Sequence, residues 1–199
     1  MERTFKEALK HRRSYYSIGN QSPVSDEKIE EIVKYAVTHA PSAFNSQSTR
    51  VVVLLGENHQ KLWSIVKETL RKIVPAAAFG STEAKIDSFA AGYASLLYFE
   101  DQTVVESLQN AFPSYADNFP IWSQQTSGMH QLAIWTMLED AGFGATVQHY
   151  NPLIDDEVRA TWNIPASWKL IAQMPFGAPT GEPGEKAFQP IDERVKVFK

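Results

Sequence analysis

Between Ser25 and Pro41 the apolar residues Ile29, Ile32, Val33, Ala36, Val37 and Ala40 recur at helical spacing, which predicts an amphipathic helix. Ser25 stands before it as an N-cap, and Asp26 and Glu27 occupy the first turn, where the helix dipole favours acids. Pro41 ends it. An earlier helix is predicted from about Glu2 to Arg13, with Phe5, Ala8 and Leu9 on one face and a break at residues 17–23. Arg50 to Leu55 is short and β-branched and reads as a buried strand. Glu57 to Ile73 gives a third helix, burying Leu62, Ile65, Val66 and Leu70, and Tyr93 to Phe99 and Trp168 to Phe176 are further strands. From Gln125 to Asp140 apolar residues cover most of the helical circumference. A helix of that kind is buried, or is shared with a second subunit.

After Phe176 the pattern changes. Residues 177–184 form a Gly- and Pro-rich linker, and Ile191 to Lys199 alternates enough to predict an edge strand. A tail of this length is able to wrap a neighbouring subunit. Helices and strands interleave without a regular βαβ beat, so the expected class is α+β, a central sheet flanked by helices in one domain spanning residues 1–199.

The 199 residues are 43% hydrophobic and 21% charged, enough for a core that needs no metal or disulfide staples. There is no cysteine, which excludes a disulfide framework, Cys-ligated zinc, iron–sulfur clusters and a thiol nucleophile. It also fits a reducing compartment, and a cytoplasmic location is expected. The net charge of −4 argues against nucleic acid as the main partner. No apolar run approaches the roughly 18 residues of a membrane span. Five Trp and eleven Phe suit a flat apolar ligand or a large interface, although core packing accounts for most such residues.

Four segments carry candidate chemistry. Arg12, Arg13 and Ser14 close the first helix; two guanidiniums and a hydroxyl are suited to a phosphate, or else merely complement the helix dipole. Ser42, Asn45, Gln47 and Arg50 lie where a helix gives way to a strand. Their amides are able to read the alternating edge of a heterocycle, or to bond the loop backbone. Gly142 and Gly144 allow close backbone approach to a ligand, and Gln148, His149, Tyr150 and Asn151 follow as exposed donors and a ring. His149 by itself also reads as a structural, hydrogen-bonded side chain. Gly184-Glu-Lys186 is not a P-loop, since Ala187 replaces the required hydroxyl residue; Lys186 is still able to meet a phosphate as a point charge. No zincin helix, serine elbow or EF-hand loop is present, so no metal site and no side-chain catalyst is assigned.

In this order the segments Arg12-Arg-Ser14, Pro41-Ser-Ala-Phe-Asn-Ser-Gln-Ser48, Gln148-His-Tyr-Asn-Pro152 and Gly184-Glu-Lys186 resemble the nitroreductase family of FMN-dependent flavoproteins. The branch they resemble includes the yeast fatty-acid-repression-mutant proteins and bacterial nitro- and quinone-reductases. The resemblance implies a mostly antiparallel sheet and a homodimer with FMN at the subunit interface. It also implies ping-pong transfer of electrons from NADH or NADPH to nitroaromatics or quinones. By matching positions, Arg12, Arg13, Ser14 and Lys186 would hold the phosphate. Asn45 and Gln47, with Ser42 close by, would lie along the ribityl chain and pyrimidine edge. Backbone groups near Gln148, His149 and Tyr150 would approach flavin N5. Tyr16 stands where many members carry a Lys, so Arg50 is the candidate for the missing positive charge. That departure also leaves open a flavin-binding regulatory or storage protein with little turnover.

Overall fold

The computed structural model describes residues 3–199. Thr4 opens α1 (Phe5–His11) through a capping box: its side chain accepts from the Glu7 N–H, and its own N–H donates to the Glu7 carboxylate at 2.9 Å. Glu2 lies outside the described residues, and α1 stops short of Arg13. Ser25 caps α2 (Asp26–His39) as expected, accepting from the Lys28 N–H at 3.3 Å. A two-residue strand, β1 (Ile18–Gly19), separates the two helices. Then follow β2 (Thr49–Leu55), α3 (Glu57–Arg71), α4 (Phe79–Ala90), β3 (Ala94–Asp101), α5 (Gln102–Ala111) and α6 (Phe119–Asp140). The chain continues with β4 (Gly144–Ala145), α7 (Asp155–Trp162), β5 (Trp168–Pro179) and α8 (Ile191–Arg194).

The sheet runs β1-β5-β3-β2, with β4 also on β5, and every pairing is antiparallel. Central β3 is buried at each of its residues, which is why it reads as a continuous apolar run and not as an alternation. Leu96 and Tyr98 face one cluster with Ile29, Ile32 and Val33 of α2 and Ile134 and Leu138 of α6. Leu97 and Phe99 face the other, with Leu62, Trp63 and Val66 of α3 and Ile86 and Phe89 of α4. The α+β architecture is therefore three layers, helices covering both faces of one sheet.

Two expectations are corrected. Ile191 to Lys199 is not an edge strand: it holds the single-turn α8 and an exposed remainder, because neither sheet edge of its own chain pairs with it. The long helix begins at Phe119, six residues before the expected start, because its first turns bury Ser123, Thr126 and Ser127 and so conceal their period behind polar residues. Helices α4, α5 and α7 add to the expected elements; each buries only one to three side chains, too few to set a helical period in the sequence. Within one chain α6 is not covered all round. Ile121, Met129 and Leu132 remain 55%, 40% and 43% exposed, a stripe that recurs at helical spacing.

Candidate functional site

Arg12 is the C-cap of α1, and its extended ψ of 116° turns the chain out of the helix toward the sheet. Ser14 then bridges Ala145 in the parallel sense, and the Tyr15 N–H donates to the Ala145 carbonyl at 3.0 Å. Gly144 is required for this approach, since a Cβ there would stand 2.9 Å from Tyr15 Cβ and Cγ. The close backbone approach read from the glycines is thus made by the protein's own chain.

The basic residues of the last helical turn are Lys10 and His11, so Arg12 and Arg13 lie beyond it. The Arg12 guanidinium sits 4.3 Å from the centre of the Trp135 ring, and its buried Nε has no hydrogen-bond partner. Burial first, and then the neighbouring charge of Arg13, push the Arg12 guanidinium below its ordinary pKa. Neither arginine pairs with a carboxylate among the described residues. Arg13 Nη2 donates to the Gly184 carbonyl, which draws the tail alongside; Lys186, two residues on, lies with Nζ 5.1 Å from the Phe188 ring. Arg12, Arg13 and Ser14 therefore lie at one corner of the sheet, and the contact with Gly184 brings the backbone two residues before Lys186 to it.

Gln148 is buried, not exposed as expected: its N–H donates to the Gln173 carbonyl at 2.7 Å and its amide to Thr146 Oγ1 at 3.0 Å. The Tyr150 N–H is taken by Gln173 Oε1 at 2.7 Å. The N–H of His149 has no acceptor among the described residues, and its side chain is exposed. Burial, with Tyr16 adding to it, pushes the Tyr150 hydroxyl up to about 12. Tyr16 itself is half exposed.

The Ser42–Arg50 loop folds at the opposite corner. Phe44, Asn45 and Gln47 have φ of 57°, 51° and 49°, the left-handed region that non-glycine residues rarely occupy. Three such residues within four positions represent stored strain, of the order of 1–3 kcal/mol each. What holds them is visible. Ser42 Oγ accepts from the Gln47 N–H at 3.0 Å, and the Phe44 ring packs against Phe112, Phe119 and Trp122 at 5.0, 5.3 and 5.9 Å between ring centres. Arg50 Nη1 donates to the Gln47 carbonyl at 2.7 Å and Nη2 to Asp101 at 3.1 Å. Burial raises the Asp101 carboxyl, but hydrogen bonds from Thr103 and Ser167 and the charge of Arg50 outweigh it and leave the pKa lowered. The charge of Arg50 is accordingly neutralised inside the protein.

Beneath the loop, β3 ends in an acid the sequence reading passed over. Glu100 is fully buried and accepts from Ser48 Oγ and Thr49 Oγ1, each at 2.5 Å. Burial raises its pKa against those two hydrogen bonds. Its signal in the sequence is an acid one position beyond an otherwise apolar strand.

The two corners do not meet in one chain. Ser14 lies in the row Leu55–Ala94–Phe176–Ala145, and Thr49 in the row with Glu100 and Lys169. They are separated by about 20 Å along the strands and about 19 Å across them, so roughly 28 Å apart. Each corner carries only part of the ordered set of motifs.

The model of the nitroreductase family matches residues 9–178. The chain belongs to the nitroreductase family. The match ends before Gly184 and Lys186. Among relatives, the nitroreductase FRM2 of Saccharomyces cerevisiae is 32% identical over 196 residues, covering 96% of this chain and 95% of that protein. The nitroreductase CinD of Lactococcus lactis, solved with nicotinic acid, superposes with a TM-score of 0.91 at 45% identity over 98% of this chain and 100% of that one. CinD has also been solved with 4-nitrophenol. An Exiguobacterium sibiricum structure in complex with FMN shares the fold, with a TM-score of 0.75 at 14% identity over 100% and 99% of the two chains. The nitroreductase assignment makes this chain an oxidoreductase. Among the described residues no helix is long and apolar enough to cross a membrane.

Proposed function

We propose that this nitroreductase binds FMN and, as a homodimer, passes electrons from NADH or NADPH to nitroaromatic or quinone acceptors. The observation that carries the reading is the state of Arg12: a half-buried guanidinium beside a second one, with Nε unpartnered and, among the described residues, no carboxylate paired with either. Such a pair is destabilising alone and is offset by a bound anion, for which two arginine forks suit a phosphate. The residues present thus fit the phosphate of FMN, held by Arg12, Arg13 and Ser14, with Lys186 brought near by the contact of Arg13 with Gly184.

FMN, when bound, supplies the two-electron chemistry. The protein's part is to bind and orient. Asn45 and Gln47, held out in the left-handed conformation, present amides able to bond a heterocycle edge, and Ser42 and Arg50 fix that presentation. The free His149 N–H is the backbone donor nearest Tyr150 that is available to a ligand, whereas the Tyr150 N–H is committed to Gln173. Gln148 serves from beneath, closing this segment onto β5. A span of roughly 28 Å exceeds the length of one FMN, so the loop corner must come from a second copy. The exposed stripe of α6 supports that pairing, and the apolar tail residues Phe188, Ile191, Val195 and Val197 are suited to wrap the partner. Binding of 4-nitrophenol and nicotinic acid by CinD supports flat aromatic ligands here.

The test is a visible spectrum. Purified protein should be yellow, and its flavin absorbance should bleach anaerobically on adding NADH or NADPH; a colourless protein that takes up no FMN overturns the proposal. A second reading, flavin storage or regulation, is favoured by Tyr16 in place of a Lys and by the neutralisation of Arg50 on Asp101. Steady-state NAD(P)H oxidation with menadione separates the two: sustained turnover removes the storage reading, and its absence in a yellow protein removes the enzymatic one.

A further inference from the structure

Two histidines are almost wholly buried, and they differ in one respect. His59 is satisfied at both ring nitrogens, Nδ1 by Ser95 Oγ at 2.9 Å and Nε2 by the Ala90 carbonyl at 3.2 Å. His130, on α6 and 2% exposed, has Nδ1 2.9 Å from the Thr126 carbonyl and 3.3 Å from Thr49 Oγ1. A carbonyl only accepts, so Nδ1 carries the proton and the tautomer is set. The hydroxyl of Thr49 in turn donates to Glu100 at 2.5 Å. This is a buried carboxyl group linked through a hydroxyl to the back of an imidazole, an order that orients the ring. Nε2 has no partner among the described residues and is not one of the fully enclosed polar atoms. His130 lines a cavity of about 360 Å³ between α2, β2 and α6, together with Ser42, Gln47, Arg50 and Trp168.

We propose that His130, held by Thr49 and Glu100, is the proton donor to an acceptor seated in this cavity. The inference rests on the proposed function: with the flavin edge bound by Asn45 and Gln47, an acceptor stacked on that flavin occupies the cavity adjoining this loop. Its chemical basis is stoichiometric. Reduction of a quinone by NAD(P)H to the hydroquinone takes one hydride and one proton. The hydride supplies both electrons, and the second hydrogen arrives as a proton. At His130 the Nε2–H bond breaks as an O–H bond forms on the acceptor oxygen; the neutral imidazole then recovers a proton from water. The charged groups around His130 are Lys34 of α2, Arg50 of β2, and Glu100 and Asp101 of β3. Thr49 and Glu100 act through the imidazole and are positioning residues.

The experiment uses FMN-loaded protein, reduced anaerobically and mixed rapidly with menadione or with ferricyanide, a one-electron acceptor that takes up no proton. In His130→Gln, oxidation by menadione should slow about 100-fold, the low end of general acid catalysis, while oxidation by ferricyanide stays at the wild-type rate. Equal slowing with both acceptors, or no slowing with menadione, overturns the proposal. Failure of the wild-type protein to bind FMN overturns the proposed function instead, and is read before any variant is made. A second readout needs no flavin: the His130 ring-nitrogen signals of the apoprotein are compared by NMR in wild type and in the near-isosteric Thr49→Val. Wild type should show a single Nδ1–H tautomer, and cutting the link to Glu100 should shift the Nδ1 signal. An unchanged Nδ1 signal shows that Thr49 and Glu100 do not position the imidazole, and overturns the proposal even if His130→Gln does not fold.

Discussion

Replacing Arg12 by Met separates binding from folding at a single position. Methionine keeps an unbranched stem over Trp135 while removing the guanidinium that now lies 4.3 Å from that ring. In the unliganded protein two effects oppose each other. A cation–π contact of about 0.5–1 kcal/mol is lost. Against that, a partly desolvated charge with an unpartnered Nε beside Arg13 is relieved. The net change in the stability of the apoprotein should lie within about 1 kcal/mol of zero. The ligand-bound protein has no such compensation. A charge-assisted bond to phosphate contributes about 1.5–3 kcal/mol, so FMN affinity should fall by about 10- to 150-fold. Flavin fluorescence titration of the apoprotein measures the affinity, and urea unfolding of the same sample measures the stability. If the variant binds FMN as tightly as wild type, Arg12 is not at the phosphate. If affinity and stability fall together by matching amounts, Arg12 is a structural residue and the argument from its unmet hydrogen bond is wrong.

Glu100 gives a prediction in pH. Its folded-state pKa is raised by burial, so the stability it contributes is complete below the unfolded pKa and lost as pH rises through the folded value. Glu100→Gln removes that dependence, and thermal melts from about pH 4 to about pH 8 should show the variant gaining on wild type as pH rises; a constant difference contradicts the assignment. Two glycines should respond in opposite senses. Gly177→Ala places a Cβ 2.1 Å from the Gly19 carbonyl oxygen, within a paired backbone, and should cost several kcal/mol or prevent folding, whereas Gly80→Ala meets nothing within 4 Å inside α4 and should stabilise by about 0.5–1 kcal/mol. Chemical denaturation checks both. Deleting residues 188–199, which hold Phe188, Ile191, Val195 and Val197 exposed in one chain, should weaken dimerisation and FMN retention together while leaving the sheet intact. Light scattering with the visible spectrum tests this, and a monomer that retains its flavin refutes the composite site.

Much of the fold was legible because local rules and burial agreed. Ser25, the stripe from Ile29 to Ala36 and Pro41 specify α2 without reference to anything else, and the β-branched run at β2 lies within a residue of its observed limits. Where they failed, burial carried polar side chains: the inward serines and threonines of early α6, and Glu100, which continues a core strand as an acid because two hydroxyls from the next strand reach it. The four candidate segments stand out in residue type and order alone. Where they lie relative to one another does not, because spacing along a chain carries no information about which sheet edge receives a segment.

The sequence by itself determined α1, α2, α3 and the three long strands, the absence of cysteine chemistry and the segments that bear the candidate groups, since these depend on neighbours within a few residues. Only the tertiary structure decided that Arg13 stands beside Gly184 while Ser42 and Gln47 lie at the far corner, that Gln148 is enclosed and His149 open, and that His130 rests on Glu100 through Thr49. Those relations join residues 51 to 171 positions apart. They follow from the antiparallel register of β2, β3 and β5, which long-range packing sets and no local pattern encodes.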